Sequence, residues 1–181
     1  LRQTEKICMD WPNKQNKVSM RLSLPGHYDV LWGTYSSKLR SQIRRAEKEG
    51  MMTRFGGTEL AADFYDVFSK NMRDLGTPVY SIDLFKQVLW LFPKDARIGI
   101  VYLNERPVAA GFLYGFRDMI EIPWASSDRR YARSAPNMLL YGEVLKYACE
   151  QGYRTFDFGR SSIDSGTYRF KEQWGARSVP L

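Results

Sequence analysis

The segment Met119-Ile-Glu-Ile-Pro-Trp-Ala-Ser-Ser127 alternates apolar and polar residues, the period of a half-buried strand. After a loop at 128–136, residues 137–151 repeat apolar side chains at helical spacing: Leu140, Tyr141, Val144, Leu145 and Ala148. Gly152 is placed to close that helix, and Thr155-Phe-Asp-Phe158 reads as a second short strand. Strand, helix and strand make a β-α-β unit, whose right-handed crossover sets the strands parallel with the helix packed on them. Such units bind ligands beyond the carboxyl ends of their strands. Those ends carry Ser126, Ser127 and Asp128 on one side, and Gly159, Arg160 and Ser161 on the other.

Upstream, the alternating runs 97–103 and 107–116 join 119–127 through the short connections Asn104-Glu-Arg and Arg117-Asp, an antiparallel meander. Before it lie a loop at 10–17, a strand at 18–24 and a helix spanning 28–49. Then come a strand at 51–55, a helix capped by Thr58 and running to Leu75, and a helix from Ser81 to Phe92. Downstream come a short helix at 168–174 and a strand from Ala176. The fold class is therefore α+β, a mostly antiparallel sheet with one parallel β-α-β pair.

The 181 residues, 44% hydrophobic and 14% aromatic, suffice for one domain with a real core. No apolar run approaches the roughly 20 residues of a membrane span, and the opening residues do not read as a signal peptide. The chain lacks an initiator Met and ends on Ser178-Val-Pro-Leu181, so it reads as a piece of a longer protein. Cys8 and Cys149 make no disulfide framework, and with His27 as the one histidine a zinc site is not expected. His27 sits in a Pro-Gly-His turn, which argues against Ser-His-Asp or Cys-His catalysis. A net charge of +7 points to an anionic partner. Arg40, Arg44 and Lys48, flanked by Lys38 and Arg45, make the outer face of the helix at 28–49 either a phosphate cradle or a solvated surface.

Asp157 lies inside its strand, Gly159 and Arg160 follow at the strand end, and Tyr168, Arg169 and Lys171 arrive within a dozen residues. A carboxylate and several cations are thus delivered to one end of a sheet, which suits an anionic, acyl-activated substrate. Were the acyl group passed to an amine, as the resemblance given next implies, the site would need a neutral amine, a held carbonyl and stabilisation of the oxyanion. Asp157 either positions or deprotonates the amine, or pairs structurally with Arg160 or Arg154. Arg160 suits an acceptor phosphate or carboxylate. Trp124, Tyr131 and Tyr168 line the cleft or pack in the core, and Gly159 permits close backbone approach or simply turns the chain.

Five segments, 38–50, 71–80, 135–140, 156–160 and 170–175, occur in an order that resembles the GNAT acyltransferases. More narrowly, they resemble the Fem-type transferases, including FemAB-like proteins of exosortase and exopolysaccharide systems. The resemblance implies two GNAT-like halves, with 27–181 the second half and 1–26 the end of the first half or a linker. It implies a cytoplasmic protein, up to the inner face of the membrane, with no permanently bound cofactor. It also implies transfer from an acyl donor to an amine of a cell-envelope glycan or peptidoglycan-type precursor, with Lys171 stabilising the tetrahedral intermediate. One departure bears on the donor. Acetyl-CoA enzymes hold pyrophosphate on a glycine-rich loop of bare amides. Here residues 128–137 contain no glycine, and Pro136 removes one amide. Arg129, Arg130 and Arg133, with Asn137, are left to hold phosphate by charge. Aminoacyl-tRNA and acyl-CoA both stay open as donors. The alternatives are an acetyl-CoA-dependent N-acetyltransferase and a non-catalytic basic module for RNA or another anionic polymer, for which the acid in Phe156-Asp-Phe-Gly159 is a poor match.

Overall fold

The computed structural model describes residues 16–180, so Cys8 and all but the end of the loop expected at 10–17 lie outside it. The elements are β1 (Lys17–Ser23), α1 (Tyr28–Thr34), α2 (Ser37–Lys48), β2 (Met52–Gly56), α3 (Ala61–Asp74), α4 (Ile82–Leu91) and β3 (Ala96–Leu103). There follow β4 (Arg106–Phe116), β5 (Met119–Ser127), α5 (Pro136–Glu150), β6 (Thr155–Ser162), α6 (Gly166–Glu172) and β7 (Arg177–Pro180). All seven strands of the described residues form one sheet in the order β2-β3-β4-β5-β6-β1-β7. Neighbours are antiparallel except β5 and β6, which are parallel, as the β-α-β reading requires.

The parallel pairing is short, Met119↔Thr155, Ile120↔Phe156 and Glu121↔Asp157, and each strand is bulged immediately beyond it. On the β4 side, Phe112 faces Trp124 and Tyr114 faces Glu121, so Leu113 alone opposes Ile122 and Pro123. Pro123 has no N–H for the ladder, which suits a bulge. On the β1 side, Ser19 faces Arg160 and Arg21 faces Asp157, so Met20 alone opposes Phe158 and Gly159. Gly159 has φ +74°, the left-handed residue such a bulge demands. Beyond the bulges β5 stays with β4 and β6 with β1, and the two strands part.

Helices cover both faces. The aromatic cluster Phe64, Phe68 and Phe85 of α3 and α4 packs on Ile98, Ile100 and Phe112. On the other face α5 is buried nearly all round, from Pro136 to Cys149. A helix apolar round most of its circumference, with Glu143, Lys146 and Glu150 left on one stripe, needs cover on more than one side. The sheet gives it on one flank, and α2, through its stripe Leu39, Ile43 and Ala46, gives it on the other. A Cβ on Gly142 of α5 would lie 3.2 Å from Ile43 Cδ1, so the glycine lets the helices approach closely.

The meander, the helix from Ser81 and the C-terminal glycines Gly76 and Gly152 are as expected. Four readings need correction. The helix at 28–49 is two helices, because Tyr35 and Ser36 are extended and the Ser36 hydroxyl accepts the Leu39 N–H at 3.2 Å, starting α2 afresh. Thr58 caps nothing: it opens a 3-10 turn, and the Gly57 N–H is instead taken by Glu59. The strand at 155–158 continues to Ser162, because β1 pairs with it past the point where β5 leaves. The helix expected at 168–174 starts at Gly166, where the Ser165 hydroxyl accepts the Tyr168 N–H.

Candidate active site

Where β5 and β6 part, Asp157 is buried, 5% exposed, and its carboxylate is surrounded by donors. Ser19 Oγ donates to both oxygens at 2.7 and 2.9 Å, and the Gly159 N–H donates to Oδ1 at 2.7 Å. Arg21 Nε donates to Oδ2 at 3.0 Å as an ion pair. The structural partners of Asp157 are thus Ser19 and Arg21 of β1 rather than Arg154 or Arg160. Alternation explains the arrangement: Val18, Met20 and Leu22 face the α5 side, so Ser19 and Arg21 face the side of Asp157.

Lys171 is buried too, 8% exposed. From α6 its ammonium donates to the carbonyls of Gly159 at 3.0 Å and Arg160 at 2.9 Å, both beyond the last β5–β6 pair. Among the described residues its third N–H has no acceptor. Burial pushes its pKa down to about 8, with the Asp157 and Glu121 carboxylates pulling the other way. A buried cation in an opening of the sheet makes Lys171 a candidate functional residue. Glu121, which the sequence reading missed, lies beside Asp157 on the adjacent strand and accepts the Tyr114 hydroxyl at 2.6 Å. Its signal was an acid inside Met119-Ile-Glu-Ile122, which alternation alone reads as an ordinary outward residue.

Arg160 and Arg169 are exposed near this opening, and Tyr168 is half-buried against the core. Trp124 packs with Tyr80, Phe85 and Phe112, on the α3–α4 side. Ser126 is buried and receives the Asn71 amide N–H at 3.2 Å, a bond that ties α3 to the end of β5. Asn71 was another residue the sequence reading left unassigned.

The arginine-bearing loop is a 3-10 turn from Arg129 to Ser134, closed by Ala135 at φ +57°. Its amides bond within the turn: Arg130 to the Asp128 carboxylate, Tyr131 to the Asp128 carbonyl, Ala135 to Ala132. Arg129, Arg130 and Arg133 are exposed, and Asn137 is half-buried in the first turn of α5. A cavity of about 480 Å³ lies between α3 and this turn, lined by Lys70, Asn71, Arg73, Arg106, Ser127, Arg129 and Arg130 among others. Lys70, Arg73 and Arg130 are paired with Asp66, Asp74 and Asp128. Arg106 and Arg129 have no carboxylate partner among the described residues, Arg106 donating to the Tyr131 hydroxyl at 3.3 Å. Arg133 does not line this cavity. On α2, Lys38, Arg44, Arg45 and Lys48 are exposed, with Arg44 over the Trp32 ring and Arg45 paired with Glu49.

Residues 34–172 match the family described as an acetyltransferase (GNAT) domain. No curated protein sequence matches the chain. A solved structure of FemX is similar over 90% of this chain and 60% of its own, at 16% identity and a TM-score of 0.80. L-PGS from Bacillus licheniformis is similar over 92% of this chain and 59% of its own, at 16% identity and a TM-score of 0.68. An aminoglycoside acetyltransferase from an uncultured soil metagenomic sample, in complex with sisomicin, covers 68% of this chain and 86% of its own, at 10% identity and a TM-score of 0.57. At these identities the likeness is one of fold. The chain spans about three fifths of the length of FemX and of L-PGS.

Proposed function

The chain belongs to the acetyltransferase (GNAT) domain family, and from that premise we propose that it is the acyl-transfer half of a Fem-type N-acyltransferase. It moves an aminoacyl or acyl group from an activated donor to an amine of a cell-envelope glycan or peptidoglycan-type precursor, on the cytoplasmic side. The observation that carries this reading is Lys171, a buried cation at the parting of β5 and β6 with one N–H unmatched among the described residues. A donor pre-aimed at the site of a developing oxyanion, in a place short of water, is the largest single aid to acyl transfer. Lys171 is assigned that role. Asp157 orders the site through Ser19, Arg21 and Gly159.

The cationic cavity at the carboxyl end of β5 suits a phosphate-bearing substrate, with Arg106 and Arg129 uncommitted to acids. Arg160 and Arg169 suit the anionic part of the acceptor. For the donor, the inward-turned amides of Arg130, Tyr131 and Ala135 favour a phosphate held by guanidinium groups, and so an aminoacyl-tRNA over acetyl-CoA. The acetyl-CoA alternative has the family's own description in its favour.

The test uses the full-length protein. Acetyl-CoA and an aminoacylated RNA hairpin are offered as donors, with an amine-bearing muropeptide as acceptor, and products are read by mass spectrometry. Transfer from the RNA donor that is lost in Lys171→Ala is expected. Calorimetric binding of acetyl-CoA at low-micromolar affinity would overturn the donor assignment.

A further inference from the structure

We propose that Arg21, Arg160 and Arg177 together form a binding site for a phosphate dianion on one face of β6, β1 and β7. The site goes beyond the acyl-transfer reading, which gave Arg160 to the acceptor, left Arg21 with Asp157 and gave Arg177 no part. The α3–α4 layer packs over β3, β4 and β5. On the same side of the sheet, β6, β1 and β7 carry a row of cations instead. Residues directly opposite one another in an antiparallel pair point to the same face. Arg160 stands opposite Ser19, and Arg21 stands between Asp157 on β6 and Arg177 on β7. Ser19 donates to Asp157, so these residues share the side away from α5. Lys17 lies further along the row, opposite Ser162, to whose hydroxyl its ammonium donates at 2.5 Å. The three strands hold a single acid, Asp157, against these four cations.

Arg21 against Arg177 is a pairing that sheets avoid. Like charges directly opposite, with Cβ atoms about 4.5–5.5 Å apart, are destabilising. An anion lying between them turns that repulsion into attraction. Arg160 is one diagonal step from Arg21, within reach of the same anion. Asp157 takes the Nε–H of Arg21 at 3.0 Å. A guanidinium has five N–H groups, so the others remain on the terminal nitrogens. The Arg21 side chain is 35% exposed, and Arg160 and Arg177 are exposed. Neither Arg160 nor Arg177 forms an ion pair among the described residues.

The charge balance selects the ligand. Asp157 offsets one of the three arginines and leaves two positive charges. A carboxylate balances one of them. A phosphate ester, at about −1.5 to −2 near neutrality, balances both and offers three oxygens to the forked donors. The site adjoins the acyl-transfer centre through its own residues: Lys171 holds the carbonyl of Arg160 at 2.9 Å, and Arg21 holds Asp157. Two sources supply such a group there, a phosphate carried on a sugar substrate and the free ion.

Calorimetry on the full-length protein tests the site, with inorganic phosphate and glucosyl phosphate as probes and acetate at equal ionic strength as the carboxylate control. Arg177→Gln and Arg160→Gln are made in an Arg106→Gln, Arg129→Gln parent, which silences the cavity beside α3. Each is expected to weaken phosphate binding by about tenfold or more. Tighter binding of glucosyl phosphate than of the free ion assigns a substrate-borne group, and equal binding assigns the free ion; either upholds the site. Thermal unfolding in phosphate-free, low-salt buffer gives a second readout. Arg177→Gln should melt above its parent, because the repulsion from Arg21 is gone, and should gain less Tm when phosphate is added. Phosphate binding that both variants keep within about twofold, or acetate bound as tightly as phosphate, would overturn the site. So would an Arg177→Gln protein that melts below its parent without phosphate, since Arg177 would then have its acid elsewhere in the full chain. These measurements involve no turnover, so such a failure leaves the acyl-transfer reading standing.

Discussion

Replacing Lys171 by Met keeps most of the side-chain volume and removes the ammonium, and the structure sets the size of the result. Two charge-assisted hydrogen bonds, to the carbonyls of Gly159 and Arg160, are lost. Each contributes about 1.5–3 kcal/mol. Against this, the burial that drops the lysine from 10.5 to about 8 is relieved. At about 1.4 kcal/mol per pH unit, that is roughly 3 kcal/mol in the variant's favour. The net expectation is a loss of about 0–3 kcal/mol near pH 7, at most roughly 6–12 °C in Tm for a chain of this size. The pH dependence gives a sharper signature. The folded state of the wild type gives up the Lys171 proton near pH 8, whereas the unfolded chain keeps it to about 10.5. The lysine therefore adds stability as pH rises through that window, and the variant lacks the increment. Buried tyrosines act in the opposite sense above about pH 10. Tyr35 and Tyr141 are among them, held protonated above the usual phenol range by burial. Because both proteins share them, the difference between the two isolates Lys171. Thermal unfolding of wild type and Lys171→Met at pH 7, 8, 9 and 9.5 measures it, and turnover of the full-length protein should fall by about 100-fold or more. A gap in Tm that stays constant over this range, together with unchanged turnover, would refute both the buried cation and its role.

Two smaller perturbations probe the surrounding scaffold. Gly159→Ala forces a side chain into a backbone at φ +74°, which costs about 1–2 kcal/mol, and denaturant titration should show it. Ser36→Ala removes the hydroxyl that accepts the Leu39 N–H and should cost about 1 kcal/mol, seen as roughly 2–4 °C in Tm with turnover unchanged.

The parallel pair was legible because strand, helix and strand follow one another directly, and chain handedness leaves one arrangement. The meander was legible because its connections are tight. The break at Tyr35 and Ser36 was hidden because Trp32, Tyr35, Leu39 and Ile43 keep helical spacing across it, while the cap that restarts α2 is one hydroxyl among several serines. Lys171 was marked by motif, but its burial and the two carbonyls it holds depend on the parting of β5 and β6, which no local pattern announces. Nor does any local pattern announce that β1 lies beside β6, so Ser19 and Arg21 could not be read as partners of Asp157. Glu121 was missed for the converse reason. Period-two alternation puts it on the sheet's polar face, and only the pairing with Asp157 turns that face into a site.

The position of β1 between β6 and β7 also bears on how the protein is made. Ser19 meets Asp157 across 138 positions of sequence, and β7 pairs with β1 alone among the described strands. A ribosome adding about 5–20 residues per second leaves β1 without its partner for on the order of ten seconds. During that interval Val18, Met20 and Leu22, which end in the core, have no native sheet to join. Until β6 emerges the nascent chain thus carries an unmatched, alternating strand, an invitation to pair with the wrong edge. Slow translation or crowding of such chains should therefore lower the yield of folded protein before it changes anything about the folded molecule.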